Sequence, residues 1–122
     1  MSTRSINPTG KSYSQAYEST NFKRLVFVSG QIPETKEGVV PAAFEDQCRL
    51  TWKNVKTQLN AADMAFENLV KITIFLSDRK YREANGRIRK EVLGQISPAQ
   101  TIIITGIYDE KWLLEIEAIA AE

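Results

Sequence analysis

The chain has 122 residues, 43% apolar and 25% charged, which suits one folded domain able to bury a core without disulfides or a structural metal. Sixteen Lys and Arg against fifteen Asp and Glu leave a formal charge of +1, too weak a field to draw in nucleic acid or an anionic membrane. Histidine is absent and Cys48 is the single cysteine, so imidazole bases, His-dependent nucleophiles and thiolate metal clusters are excluded, and chemistry falls to carboxylates, hydroxyls, amides, backbone groups or water.

Residues 1–12 are polar, include Pro8 and Gly10, and read as an irregular lead-in without the apolar core of a signal peptide. No stretch approaches the roughly 20 apolar residues of a membrane span, so the cytoplasm is the expected compartment. Residues 13–17 and 25–29 read as two strands joined by the polar turn Glu18-Ser19-Thr20-Asn21, hence a hairpin. Thr35-Lys36-Glu37-Gly38 is a turn cluster, and Pro41 precedes a helical pattern over 42–62. There Phe44, Cys48, Trp52, Val55 and Leu59 recur at spacings of three and four and form one apolar stripe, opposite Glu45, Asp46, Arg49, Lys53 and Lys56. Cys48 and Trp52 on that stripe read as core residues, whereas Trp112 fits core, interface or cleft wall.

Residues 69–76 alternate, with Val70, Ile72, Ile74 and Leu76 on one face and Lys71, Thr73 and Phe75 on the other. Asp78 suits the cap of a second helix that runs to about Leu93 and is closed by Gly94. Strands over 101–107 and 112–120, linked around Tyr108-Asp109-Glu110, complete the chain. The order β-β-α-β-α-β-β predicts an α/β sandwich (α+β in layering): a single domain over 1–122 with two helices on one face of a mixed sheet. The other face carries Thr101, Ile103, Thr105 and Ile107 from one strand, and Leu113, Glu115, Glu117 and Ile119 from the next. Two helices cannot cover both faces of a sheet, so this semi-apolar face calls for further copies of the chain, most simply in a cyclic homo-oligomer.

Few residues remain for chemistry. Ser29-Gly30-Gln31-Ile32-Pro33 sits at a strand end, where glycine permits a sharp backbone path and proline blocks further pairing. Ser29 fits either a turn serine satisfying local backbone or a contact to a bound polar group. Tyr13 fits either an edge residue with a tethered hydroxyl or a wall of a ligand site. Glu115 and Glu117 lie two apart on a strand and point to the same face. They are either solvated edge carboxylates or, at a subunit boundary, a pair in which one has a raised pKa and holds water as a general base.

Tyr13-Ser14-Gln15-Ala16, Ser29-Gly30-Gln31-Ile32-Pro33, Leu69-Val70-Lys71-Ile72-Thr73 and Asn85 occur in order. They are followed by Pro98-Ala99-Gln100 and Glu115-Ile116-Glu117-Ala118-Ile119-Ala120. Together these segments resemble the YjgF/RidA (Rid) family over nearly the whole chain. The resemblance implies a homotrimer around a chorismate-mutase-like central barrel, with clefts between neighbours. It implies hydrolysis of reactive enamines and imines to keto acids and ammonia, with no metal or organic cofactor. It also implies site roles: Tyr13, Ser29, Asn85 and Gln100 line the cleft, and Glu115 positions the hydrolytic water. The bland alternative for Asn85 is a helix-surface or interface amide.

Position 100 breaks the pattern. Deaminating relatives place an arginine after Pro-Ala to fork onto the substrate carboxylate, and this chain has Gln100. Hydrogen bonds to charged groups contribute roughly 1.5–3 kcal/mol each, so losing the clamp weakens carboxylate binding on the order of 10- to 100-fold or more. Unless Lys111 or Arg89 fills in, the pocket suits a neutral carbonyl, amide or heterocycle. Many relatives also have a cysteine two residues beyond that arginine; Ile102 stands here, so no reactive thiol is expected there. Three readings follow: a small-metabolite hydrolase acting on a C=N bond, a ligand-binding trimer without turnover, and RNA cleavage. Near-zero net charge, the lack of a basic run and the lack of histidine count against the last.

Overall fold

The computed structural model describes residues 1–122. Its first helix, α1 (Phe44–Ala61), forms where the three-and-four apolar spacing predicts, and buries Phe44, Cys48, Trp52, Val55 and Leu59. Gln47 and Thr51 are buried on the same helix. Gln47 Nε2 donates to the carbonyls of Pro41 at 2.8 Å and Lys111 at 2.9 Å, and its Oε1 accepts from Leu113 N–H. A buried amide with all these bonds made ties the helix start to the last loop.

Six strands form one mixed sheet: β1 (Ser2–Pro8), β2 (Ser14–Thr20), β3 (Leu25–Gln31), β4 (Leu69–Leu76), β5 (Ala99–Ile104) and β6 (Leu114–Ala121), in spatial order β1-β2-β5-β4-β6-β3. The second helix, α2 (Arg82–Leu93), follows a 3-10 turn over Arg79–Tyr81 in which Asp78 Oδ1 accepts from Lys80 N–H at 2.9 Å. Asp78 therefore caps that turn rather than α2 itself. Gly94 ends the helix at φ +58°, a conformation that favours glycine.

The structure corrects further expectations from the sequence. Residues 2–8 are not an irregular lead-in but strand β1, antiparallel to β2. This edge strand buries almost nothing, with Ile6 half-buried at best, so it carries no hydrophobic alternation to betray it. Second, residues 13–17 and 25–29 are not a hairpin. β2 pairs with β1, whereas β3 crosses to the opposite edge and pairs with β6 from Leu25↔Ala121 to Gln31↔Ile116. A polar strand and an apolar one settle against partners of their own kind. Third, the last two strands are shorter than expected, so Thr105, Ile107 and Leu113 lie outside them.

The predicted alternation in β4 holds with one shift. Ile72, Ile74 and Leu76 are buried, but the register slips between Leu69 and Lys71, and Leu69 rather than Val70 joins the core. The helices cover this face over β4 and β6, where Leu114, Ile116, Ala118 and Ala120 complete the core, but leave Ile102 and Ile104 of β5 exposed. The opposite face has no helix. There Phe27 is 71% exposed and Leu25 44%, beside Ile119 of β6 and the half-buried Phe75 of β4. The outer edge of β5 is also free beyond its start, since Ser14↔Ala99 is its single register pair with β2. The sheet of one chain is therefore open, with an uncovered apolar face.

Candidate functional site

Val28 pairs with Ala118 but Gln31 with Ile116, so Ser29-Gly30 makes a bulge in β3. Ser29 is exposed in that bulge, and its carbonyl accepts from Gln31 Nε2 at 3.1 Å. Gly30 leaves space for a neighbouring side chain rather than serving an unusual φ. A Cβ there would stand 2.7 Å from Glu115 Cδ and closer still to Oε2, so the carboxyl of Glu115 lies against bare backbone. Its pKa is raised above the ordinary carboxylate value, first because burial disfavours the charge and second because Glu117 is near. The two glutamates share the open sheet face as expected, Glu115 half-buried and Glu117 exposed. A half-buried carboxylate with raised proton affinity suits transfer of a proton to or from water.

The other residues singled out from the sequence lie elsewhere in the chain. Tyr13 and Gln100 line an open depression of about 820 Å³ between the first loop, α2 and β5. Asn85 is neither on the helix surface nor at an exposed edge: it is fully buried, and neither its amide nitrogen nor its carbonyl has a hydrogen-bond partner. One protomer thus holds two groups, Ser29 with Glu115 on the open face, and Tyr13 with Gln100 in the depression, Asn85 being buried on α2 nearby.

Arg89 is the residue whose placement the sequence left undecided. It lies in the same depression and keeps only 6% of its surface exposed. Nη2 donates to the Lys11 carbonyl at 3.1 Å, and the guanidinium carbon stands 5.7 Å from the Tyr13 ring centroid. Burial pulls its pKa below the usual arginine value, although an arginine so placed stays charged. A signal for it existed: Arg89 is four residues after Asn85 and next to Ile88, on the stripe of α2 that is buried. Lys111 is instead exposed on another part of the surface. Cys48 is fully buried, and desolvation pushes its thiol up to about 12, as befits a core residue. Trp52 packs edge-on against Phe66, and Trp112 is half-buried beside Tyr108.

Residues 3–122 match the family model described as endoribonuclease L-PSP. The chain belongs to the YjgF/RidA (Rid) family. Among its Rid relatives, the mitochondrial protein mmf2 of Schizosaccharomyces pombe is 36% identical over 93% of this chain and 90% of its own. The putative reactive intermediate deaminase TdcF of Escherichia coli is 32% identical over 79% of this chain and 78% of its own. Among solved Rid structures, yeast Mmf1 superposes with a TM-score of 0.76 at 28% identity, over 99% of both chains. The Rid protein YyfB of Yersinia pestis reaches 0.88 over the full length of both chains, a likeness of fold at 21% identity.

Proposed function

We propose that this Rid-family chain forms a homotrimer that binds a small metabolite in clefts between subunits and hydrolyses a C=N bond of the imine or enamine class. The observation that carries this reading is the seat of Glu115: a carboxyl with raised proton affinity, packed on Gly30 beside Ser29, on a sheet face that no helix covers. Exposed Phe27 and Leu25 on that face favour coverage by a second copy. Coverage by a neighbour would bring the basic depression of one subunit towards the Ser29–Glu115 group of the next, completing a site that each chain holds in halves. Glu115 then takes a proton from water as it adds to the C=N carbon, and returns it as ammonia leaves. The reaction needs no metal or organic cofactor. No helix is long and apolar enough to cross a membrane. The cytoplasm remains our proposed compartment, although a yeast relative is named as mitochondrial.

The test is to generate 2-aminoacrylate with a dehydratase and follow keto-acid release above the spontaneous hydrolysis rate by wild type and Glu115→Gln. Release that the substitution abolishes supports the hydrolase. Saturable binding with no release in either protein would instead make this a ligand-binding trimer. The family model's description names an endoribonuclease, but the lack of a histidine to act as general base leaves RNA cleavage the weaker reading. Strong, salt-dependent RNA binding would restore it.

A further inference from the structure

Seven buried side-chain polar atoms make no hydrogen bond, and five of them belong to Asn85, Arg89 and Gln100. Ordinary folded proteins leave few such atoms, so their concentration around one depression calls for an explanation. Arg89 contributes Nε and Nη1, two of its three nitrogens. Its single hydrogen bond goes to the Lys11 carbonyl, and it forms no ion pair with any carboxylate. A guanidinium taken out of water without a counter-charge is costly to a fold. A purely structural arginine would be expected to spend those donors on carbonyls or carboxylates.

The surroundings share the same sign. Lys11, Arg79, Lys80, Arg82 and Lys90 line the depression, none in an ion pair, and Glu83 is the only carboxylate on its wall. The chain's charge of +1 therefore conceals a concentrated positive potential where Tyr13 and Gln100 sit. The Tyr13 ring lies within cation–π range of the guanidinium, its centroid 5.7 Å from the guanidinium carbon.

We propose that Arg89 is the carboxylate anchor of this pocket, supplying from α2 the cation that position 100 lacks, with Gln100 lining the same depression. This assignment rests on the small-metabolite reading of the site and narrows its ligands to small carboxylates, 2-oxo and 2-imino acids among them. It reverses the expectation from Gln100 alone that the pocket prefers neutral ligands.

Calorimetric titration with 2-oxobutanoate and its neutral carboxamide tests the anchor without any turnover. Wild type is expected to bind the carboxylate at least about tenfold more tightly, the factor that one charge-assisted contact supplies. Arg89→Gln is expected to level the two ligands. Adding Gln100→Arg in that background is expected to restore the preference, showing that the pocket itself has stayed intact. Equal affinities in wild type, or an undiminished preference in Arg89→Gln, would overturn the assignment. Tighter binding of inorganic phosphate than of 2-oxobutanoate would also overturn it, marking a general polyanion site. Should Arg89→Gln not fold, Arg89→Lys decides: it is expected to keep the preference at reduced affinity, and undiminished affinity would overturn the assignment. Carboxylate preference without keto-acid release leaves the anchor standing and removes the hydrolase. Release with the same KM in Arg89→Gln does the reverse.

Discussion

Gly30→Ala separates the proposed chemistry from stability. The new methyl would overlap the Glu115 carboxyl, with Cδ at 2.7 Å and Cγ at 3.0 Å, and would meet no backbone atom among its nearest neighbours. The yielding group is the end of a flexible side chain, and pushing it off its rotamer costs about 0.5–1.5 kcal/mol. Gly30 is not among the positive-φ glycines, so alanine also narrows the unfolded ensemble and returns about 0.4–1 kcal/mol. The two terms nearly cancel, and the melting temperature is expected to move by only a few degrees. Catalysis has no such compensation. Displacing a proton-transfer group by about 1 Å costs on the order of 100-fold in rate. The assay is keto-acid release from 2-aminoacrylate, run beside thermal unfolding. Wild-type kcat in a folded Gly30→Ala protein would refute the role of the Glu115 seat. A fall in stability beyond about 3 kcal/mol would refute the view that only a side chain must move.

Because burial raises the folded pKa of Glu115 above its unfolded value, the folded state binds the proton more tightly in the window between them. Its contribution to stability is fully present below about pH 4.5 and is lost as pH rises through the folded pKa. Glu115→Gln is therefore expected to raise the melting temperature relative to wild type at pH 7 but not at pH 4, and a gain at both would contradict burial of the charge as the cause. Cys48, its thiol pushed up to about 12 in the core, is expected to resist a disulfide-exchange reagent in the native protein and to react at once in denaturant. Phe27→Asp places a charge on the uncovered face, and sedimentation is expected to show monomers with no keto-acid release. A trimer that survives the change would move the interface elsewhere. Leu59→Ala empties a fully buried site and is expected to cost about 2–5 kcal/mol in denaturant unfolding.

Local periodicity sufficed for the elements that bury a stripe. The apolar spacing from Phe44 to Leu59, the alternation through Ile72, Ile74 and Leu76, and Gly94 as a helix stop each state a local requirement that neighbouring residues alone satisfy. The shared orientation of Glu115 and Glu117 belongs to the same class, since a strand's period of two places both on one face. An uncovered second sheet face followed from counting helices against faces.

Tertiary structure decided what depends on residues far apart in the chain. Strand β1 is held by pairing rather than by burial, so its polar sequence carries no trace of it. The partners of β2 and β3 were settled by which strands met across the sheet, something that a turn-like link between them does not specify. The loss of the arginine at position 100 was plain in the sequence, but whether any cation replaces it was not. Only the tertiary fold brings Arg89 against Tyr13 and into the depression that Gln100 lines, because a side chain's partners across a fold are set by three-dimensional approach and not by spacing along the chain.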